Sequence, residues 1–224
     1  MPSIAIVGAG PGLGRAIART FGSQGYDVAL ISRNRPKLDG LIDELGAENI
    51  TAAAFPADVL DRPALIEALR DAAGHFGNID VLEYSPSGTI ETTPMTSPSQ
   101  TAPEDVQQQM ELQLYGAIAA TSAVLPAMRE AGAGTLLYTT GAGSVDPVPQ
   151  IGNVNSAAAA LRNWAINLNK ELADTGVYAA HMAIDVSIDV PAIPGFPTAP
   201  ADDIAAVYWE LHTKRHEGEH IFTL

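Results

Sequence analysis

Gly8, Gly10, Gly12 and Gly14 alternate with Ala9, Pro11 and Leu13 directly after the apolar run Ile4-Ala5-Ile6-Val7. Glycine at this spacing lets a chain turn tightly from a strand into a helix. It also lets a pyrophosphate approach main-chain N–H groups that a β-carbon would shield. The positive end of the helix dipole points at the same place. The loop follows a strand and opens a helix, which is the context in which the pattern predicts a dinucleotide site rather than an ordinary turn.

The end of the second strand narrows the ligand. A site for NAD, or for S-adenosylmethionine on a similar glycine loop, places a carboxylate there to accept hydrogen bonds from ribose hydroxyls. This chain reads Ile31-Ser32-Arg33-Asn34, with an arginine and no acid. A guanidinium matches a 2′-phosphate through a bidentate, charge-assisted contact, so the residues point to NADP(H).

The elements that must position this loop alternate along the chain. Strands are expected over residues 3–7, 27–32, 50–55, 79–84, 134–140, 177–184 and 220–224, and helices over 13–24, 35–45, 62–76, 103–130, 153–174 and 201–214. The strands are near-continuous apolar runs, as in sheets covered on both faces. Pro36 and Pro63 sit in the first turns of two helices whose ends are marked by Gly46 and Gly77. The fold class is α/β: a three-layer doubly wound Rossmann fold with a seven-stranded, mostly parallel sheet, in one domain over 1–224. Two loops rich in Pro, Ser and Thr, 85–101 and 190–200, follow carboxyl ends of strands, the edge where such sheets bind ligands.

Composition excludes several function classes. The 224 residues carry a formal net charge of −14, which disfavours nucleic acid as a partner. There is no cysteine, hence no disulfide and no thiolate chemistry. The first residues run straight into an apolar strand without a secretory pattern, and no apolar run is long enough to span a bilayer. A cytoplasmic protein without membrane partners is expected.

With these residues in place, the chain resembles the short-chain dehydrogenase/reductase family over nearly its whole length. The resemblance rests on Gly8-x-x-x-Gly12-Leu13-Gly14, on Asp58-Val59 after the third strand, on Asp80-Val81-Leu82, on the stretch 112–126 and on Asp202-Asp203-Ile204-Ala205. It implies a nicotinamide cofactor, carbonyl–alcohol chemistry and a homodimer or homotetramer. Cofactor contacts are expected from Gly8, Gly10, Pro11, Gly12, Leu13, Gly14, Ser32, Arg33, Asn34, Asp58, Val59, Ser85, Pro86, Ser87, Ile184 and Ser187.

The catalytic pattern of the resemblance departs. Its tyrosine position falls at Val154 and its lysine position at Ala158, its serine at Gly141 and its asparagine at Gln113. Valine and alanine relay no protons, and groups that act as a unit do not retain a share of their effect when most are gone. The substitute candidates are Thr140, Ser144 and Gln113. His181 inside the sixth strand reads as a core histidine, and Asp185 stands where the family turns through glycine. The leading expectation is an NADP(H)-dependent oxidoreductase of a small organic substrate with an atypical active site. The alternatives are a catalytically silent NADPH-binding sensor or partner protein, or a non-redox lyase or isomerase in the same pocket.

Overall fold

The computed structural model describes residues 1–87, 94–191 and 194–224. Seven strands, β1 Ser3–Val7, β2 Asp27–Ile31, β3 Ala52–Ala54, β4 Val81–Tyr84, β5 Gly134–Gly141, β6 Val177–Ile184 and β9 Glu219–Phe222, form one parallel sheet. Their order in it is β3-β2-β1-β4-β5-β6-β9. Two short strands, β7 Ser187–Ile188 and β8 Thr198–Ala199, pair outside it. All seven expected strands exist, and every pairing between them is parallel. Residues 88–93 of the first Pro/Ser/Thr-rich loop, including Gly88, and 192–193 of the second lie outside the described residues.

The apolar runs are explained by burial on two faces. Ala5 and Val7 point into a core shared with α3 Arg62–Phe76, α5 Gly116–Ala131 and α6 Gly152–Glu171. Ile4 and Ile6 point into a second core with α1 Leu13–Gly22, α2 Arg35–Ala47 and α7 Ala201–Lys214. The strand order reverses at β1, which lies between β2 and β4, and this opens the crevice at the carboxyl edge of the sheet. Among the described residues no helix is long and apolar enough to cross a membrane.

The long helix expected over 103–130 is not continuous. α4 Pro103–Met110 passes into a π-helical turn, Glu111–Tyr115, before α5 begins. The cause is a side chain from the sheet. The Tyr84 hydroxyl donates to the Leu112 carbonyl at 2.7 Å, taking an acceptor that helix regularity would use. Gly116 makes room for it, since a β-carbon there would lie 2.0 Å from the Tyr84 oxygen. The widened turn carries Gln113 to the crevice, where its Nε2 donates to Gln109 Oε1 at 3.1 Å. Periodicity alone reads through such a turn, because the apolar spacing slips by only one residue.

Gly116→Ala is expected to destabilise the protein by about 1–3 kcal/mol through overpacking against Tyr84. Gly74→Ala in α3, where a β-carbon meets nothing within 4 Å, serves as the control. It is expected to be neutral or to stabilise by up to about 1 kcal/mol. Urea denaturation of both variants checks the pair.

Candidate active site

The crevice is a two-chambered trough. The larger chamber has a volume of about 570 Å³ and the smaller about 270 Å³. They meet over Gly8, Gly10, Pro11, Pro86 and Ser87. The four glycines divide into two kinds. Gly8 has φ +105° and a β-carbon there would sit 2.7 Å from the Ser85 carbonyl. At Gly14 it would sit 3.0 Å from Ala9 Cα. Those two are demanded by the fold. Gly10 and Gly12 have no protein atom nearer than 3.9 Å to such a carbon. Their bareness leaves a cradle that the protein itself does not fill. Gly12 caps α1 and offers no side chain to that helix's first N–H groups, which suits an anionic ligand.

The smaller chamber gathers the residues at the ends of β2 and β3. Ser32, Arg33, Asn34, Asp58 and Val59 all line it. Asn34 caps α2, its Oδ1 accepting from Lys37 N at 3.0 Å. Arg33 Nη1 lies 3.9 Å from Asp58 Oδ2. Both side chains reach solvent, so this long pair contributes little and leaves the guanidinium available. Lys37 also lines the chamber. Sequence reasoning passed it over, although its place in the first turn of α2, one turn beyond Arg33, is a signal that could have found it.

The larger chamber holds Ser85, Pro86, Ser87 and Ile184. Of the three substitute catalytic candidates, Thr140 and Gln113 line it. Ser144 lies behind Thr140, buried, with the two hydroxyl oxygens 2.8 Å apart. Ser187 is buried in β7 beside the chamber and is not part of its lining. Val154 and Leu161 of α6 form an apolar wall, and Asp189 stands near Gly12 with its Oδ1 accepting from Ala201 N at 2.8 Å. Asn153 fixes the approach to this wall: its amide bonds Thr96 N at 2.9 Å and Pro94 O at 2.8 Å.

Two buried polar clusters abut the larger chamber from opposite faces of the sheet. On the α6 face, Thr140 Oγ1 lies 2.8 Å from His181 Nε2, and His181 Nδ1 lies 3.1 Å from Glu219 Oε1. Arg162 binds both oxygens of Glu219, at 2.5 and 2.8 Å. Burial pushes the His181 imidazole down to about 4, against the opposing pull of Glu219. The Arg162 guanidinium holds Glu219 below the usual carboxylate range. His181 is thus buried as expected, but it is bonded at both nitrogens and one of its partners faces the crevice.

On the α7 face, Glu83 is fully buried and accepts from Thr139 Oγ1 and Ser85 Oγ, each at 2.9 Å. The Tyr208 hydroxyl lies 2.6 Å from Thr139 Oγ1. Thr139 and Ser85 both line the chamber. Burial pushes the Glu83 carboxyl up to about 8, with the two hydroxyl hydrogen bonds pulling the other way. At neutral pH it is an acid that keeps its proton. An acidic residue in a parallel strand is easily read as an interruption of the apolar pattern, and Glu83 was missed for that reason.

The raised carboxyl has a consequence for stability. Between about 4.5 and about 8 the folded protein holds a proton that the unfolded chain has released. The stabilisation is complete below that range and lost as pH rises through it, by up to about 1.4 kcal/mol per pH unit. Glu83→Gln, which keeps the shape and cannot titrate, is expected to remove this slope in urea denaturation between those pH values.

Comparison with known proteins agrees with this geometry. Residues 2–186 match the family described as short chain dehydrogenase. A short chain dehydrogenase of Pseudocercospora fijiensis is 29% identical over 175 residues, 77% of this chain and 55% of that protein. The chain therefore spans about half the length of that relative. An uncharacterized oxidoreductase of Staphylococcus aureus is 26% identical over 216 residues, 94% of this chain and 91% of its own length. The crystal structure of L-sorbose reductase from Gluconobacter frateurii, complexed with NADPH and L-sorbose, superposes with a TM-score of 0.87. It shares 19% identity over 99% of this chain and 95% of that one, a likeness of fold. The chain belongs to the short chain dehydrogenase family.

Proposed function

We propose that the protein is an NADP(H)-dependent oxidoreductase acting on a small alcohol or carbonyl compound. The observation that carries the reading is the trough: an unfilled glycine cradle at a helix N-terminus, with two cations, Arg33 and Lys37, in the chamber on one side. When bound, the nicotinamide supplies or accepts a hydride. The chain's residues do the rest. Gly10 and Gly12 leave the approach to the first turn of α1 open for a pyrophosphate. Arg33 and Lys37 face a 2′-phosphate at the start of α2, where the helix dipole adds to their charge. Ile184, Val154 and Leu161 exclude water around the reacting carbon, and Thr140 and Gln113 offer hydrogen bonds to a substrate oxygen.

Val154 and Ala158 stand where the resemblance places the family's tyrosine and lysine, so the proton must move through another group. This makes the site atypical within the family. The structural likeness to an NADPH-bound reductase supports the cofactor reading at the level of fold. The small residues Ser156–Ala160 at the start of α6 support pairing of this helix with a second copy, in a homodimer or homotetramer.

Calorimetric titration with NADPH, NADH and S-adenosylmethionine tests the reading. NADPH is expected to bind at least about tenfold more tightly than NADH, the value of one charge-assisted contact. Arg33→Ala should erase most of that preference and Lys37→Ala part of it, while S-adenosylmethionine should not compete. Equal affinity for NADPH and NADH, or no nucleotide binding at millimolar concentration, overturns it.

A further inference from the structure

We propose that Thr140, His181 and Glu219 form a proton relay in which the Thr140 oxygen takes the proton of a substrate hydroxyl, so that the site is arranged to oxidise an alcohol. The proposal rests on the oxidoreductase reading above and names its substrate class and proton path.

The hydrogen-bond directions follow from chemistry. A carboxylate held by Arg162 at both oxygens only accepts, so the His181 nitrogen facing Glu219, Nδ1, carries the proton. Nε2 is then a lone pair, and the group 2.8 Å away, the Thr140 hydroxyl, must donate to it. Ser144 Oγ, also 2.8 Å from Thr140, accepts from the same hydroxyl, so the threonine's one proton is held on the inward side, between Ser144 and His181. The oxygen's lone pairs are left to the side of a residue that lines the crevice. Thr140 therefore meets a ligand as an acceptor, with a base behind it.

The sheet builds this line by register. His181 pairs with Glu219 across β6 and β9 and with Tyr138 across β5 and β6, which puts Thr140 two residues along on the same face. Among the described residues the charged groups acting on His181 are Glu219 of β9 and Arg162 of α6, and from β5 the Thr140 hydroxyl bonds it. Burial keeps the imidazole neutral above about pH 4, so Nε2 is free to accept throughout the physiological range. Once it has accepted, the imidazolium stands against an ionised carboxylate rather than alone in the core. His181 is itself completely buried, whereas Glu219 and Arg162 have side chains 25% and 33% exposed, so the line ends at solvent.

The step balances. The substrate carbon gives up its hydrogen with two electrons to NADP⁺, the oxidant. The substrate hydroxyl proton passes to Thr140 Oγ1 as the threonine's own proton passes to His181 Nε2. The products are a ketone or aldehyde, NADPH and one proton, which leaves to solvent past Glu219. The cluster has a plainer possible role, tying β5, β6 and β9 together, and that role would not activate the threonine oxygen.

Activation can be read without nucleotide or substrate, using p-nitrophenyl acetate as the probe. Acetyl transfer forms a bond from Thr140 Oγ1 to the acyl carbon, moves the hydroxyl proton to His181 Nε2 and releases p-nitrophenolate. Peptide mass mapping is expected to find the acetyl group on Thr140. The labelling rate should fall about 100-fold in His181→Phe, the scale of general-base assistance. It should fall several-fold in Glu219→Gln, which preserves the side-chain shape and covers the case in which the histidine variant does not fold. Across about pH 5.5 to 8 the wild-type rate should be flat, lacking the step of an unperturbed histidine. An unlabelled Thr140, or a rate the same in folded variants, overturns the relay. Because the probe needs no nucleotide, the NADPH titration reports separately on the oxidoreductase reading.

Discussion

The crevice depends on one close approach, that of the Gly8 backbone to the Ser85–Pro86 peptide. β1 and β4 are neighbours in the sheet, and their chains must part at the carboxyl edge, one turning into α1 and the other into the loop before α4. With any side chain at Gly8 the two turns would collide, and the φ of +105° would be strained as well. Gly8 and Ala9 both donate to Ile31 O, at 2.9 and 3.1 Å, so the same turn is also tied to β2. Three strand ends are therefore fixed relative to one another by a single backbone segment. Both chambers of the trough, and the start of α1 between them, inherit their positions from it.

That dependence explains what could be read from the sequence. The glycine loop, the strands and most helix boundaries are local signals: a turn without β-carbons, apolar runs buried on two faces, prolines in first turns. The helix expected over 62–76 and the one over 201–214 appear with those bounds, as α3 and α7. Arg33 was legible because its position at a strand end has meaning on its own. What was not legible are effects between elements distant in the chain. The π-turn at Glu111–Tyr115 requires knowing that Tyr84 reaches Leu112. The bond between Thr140 and His181 requires the β5–β6 register, and Glu219 joins only through β9, at the far end of the chain.

The polar residues of the strands follow the same rule as the apolar ones, by parity. Thr139 and Glu83 fall on the α7 face, Thr140 and His181 on the α6 face. Consecutive threonines at the end of β5 thus serve two separate clusters, both opening on one chamber. Their protonation is opposite. Glu83 retains a proton at neutral pH, because burial disfavours its anion and its recorded partners are neutral hydroxyls. His181 lacks one, because burial disfavours its cation more than Glu219 favours it. One cause, desolvation, keeps a proton on the group of one face and off the group of the other.

Such groups are costly unless every polar atom is satisfied, since a half-bonded buried network is worse than an apolar core. Among the described residues no buried side-chain nitrogen or oxygen lacks a partner. The clusters are complete, and each ends in a hydroxyl that lines the crevice: Ser85 and Thr139 from Glu83, Thr140 from His181. Packing alone would be served as well by valine at these strand positions, as it is at Val154 on the facing helix. Apolar residues on α6 and polar residues on β4, β5 and β6 are then two sides of one arrangement. Glu83 and His181, the buried titratable groups behind those hydroxyls, lie in the sheet beneath the crevice rather than on the helix that walls it.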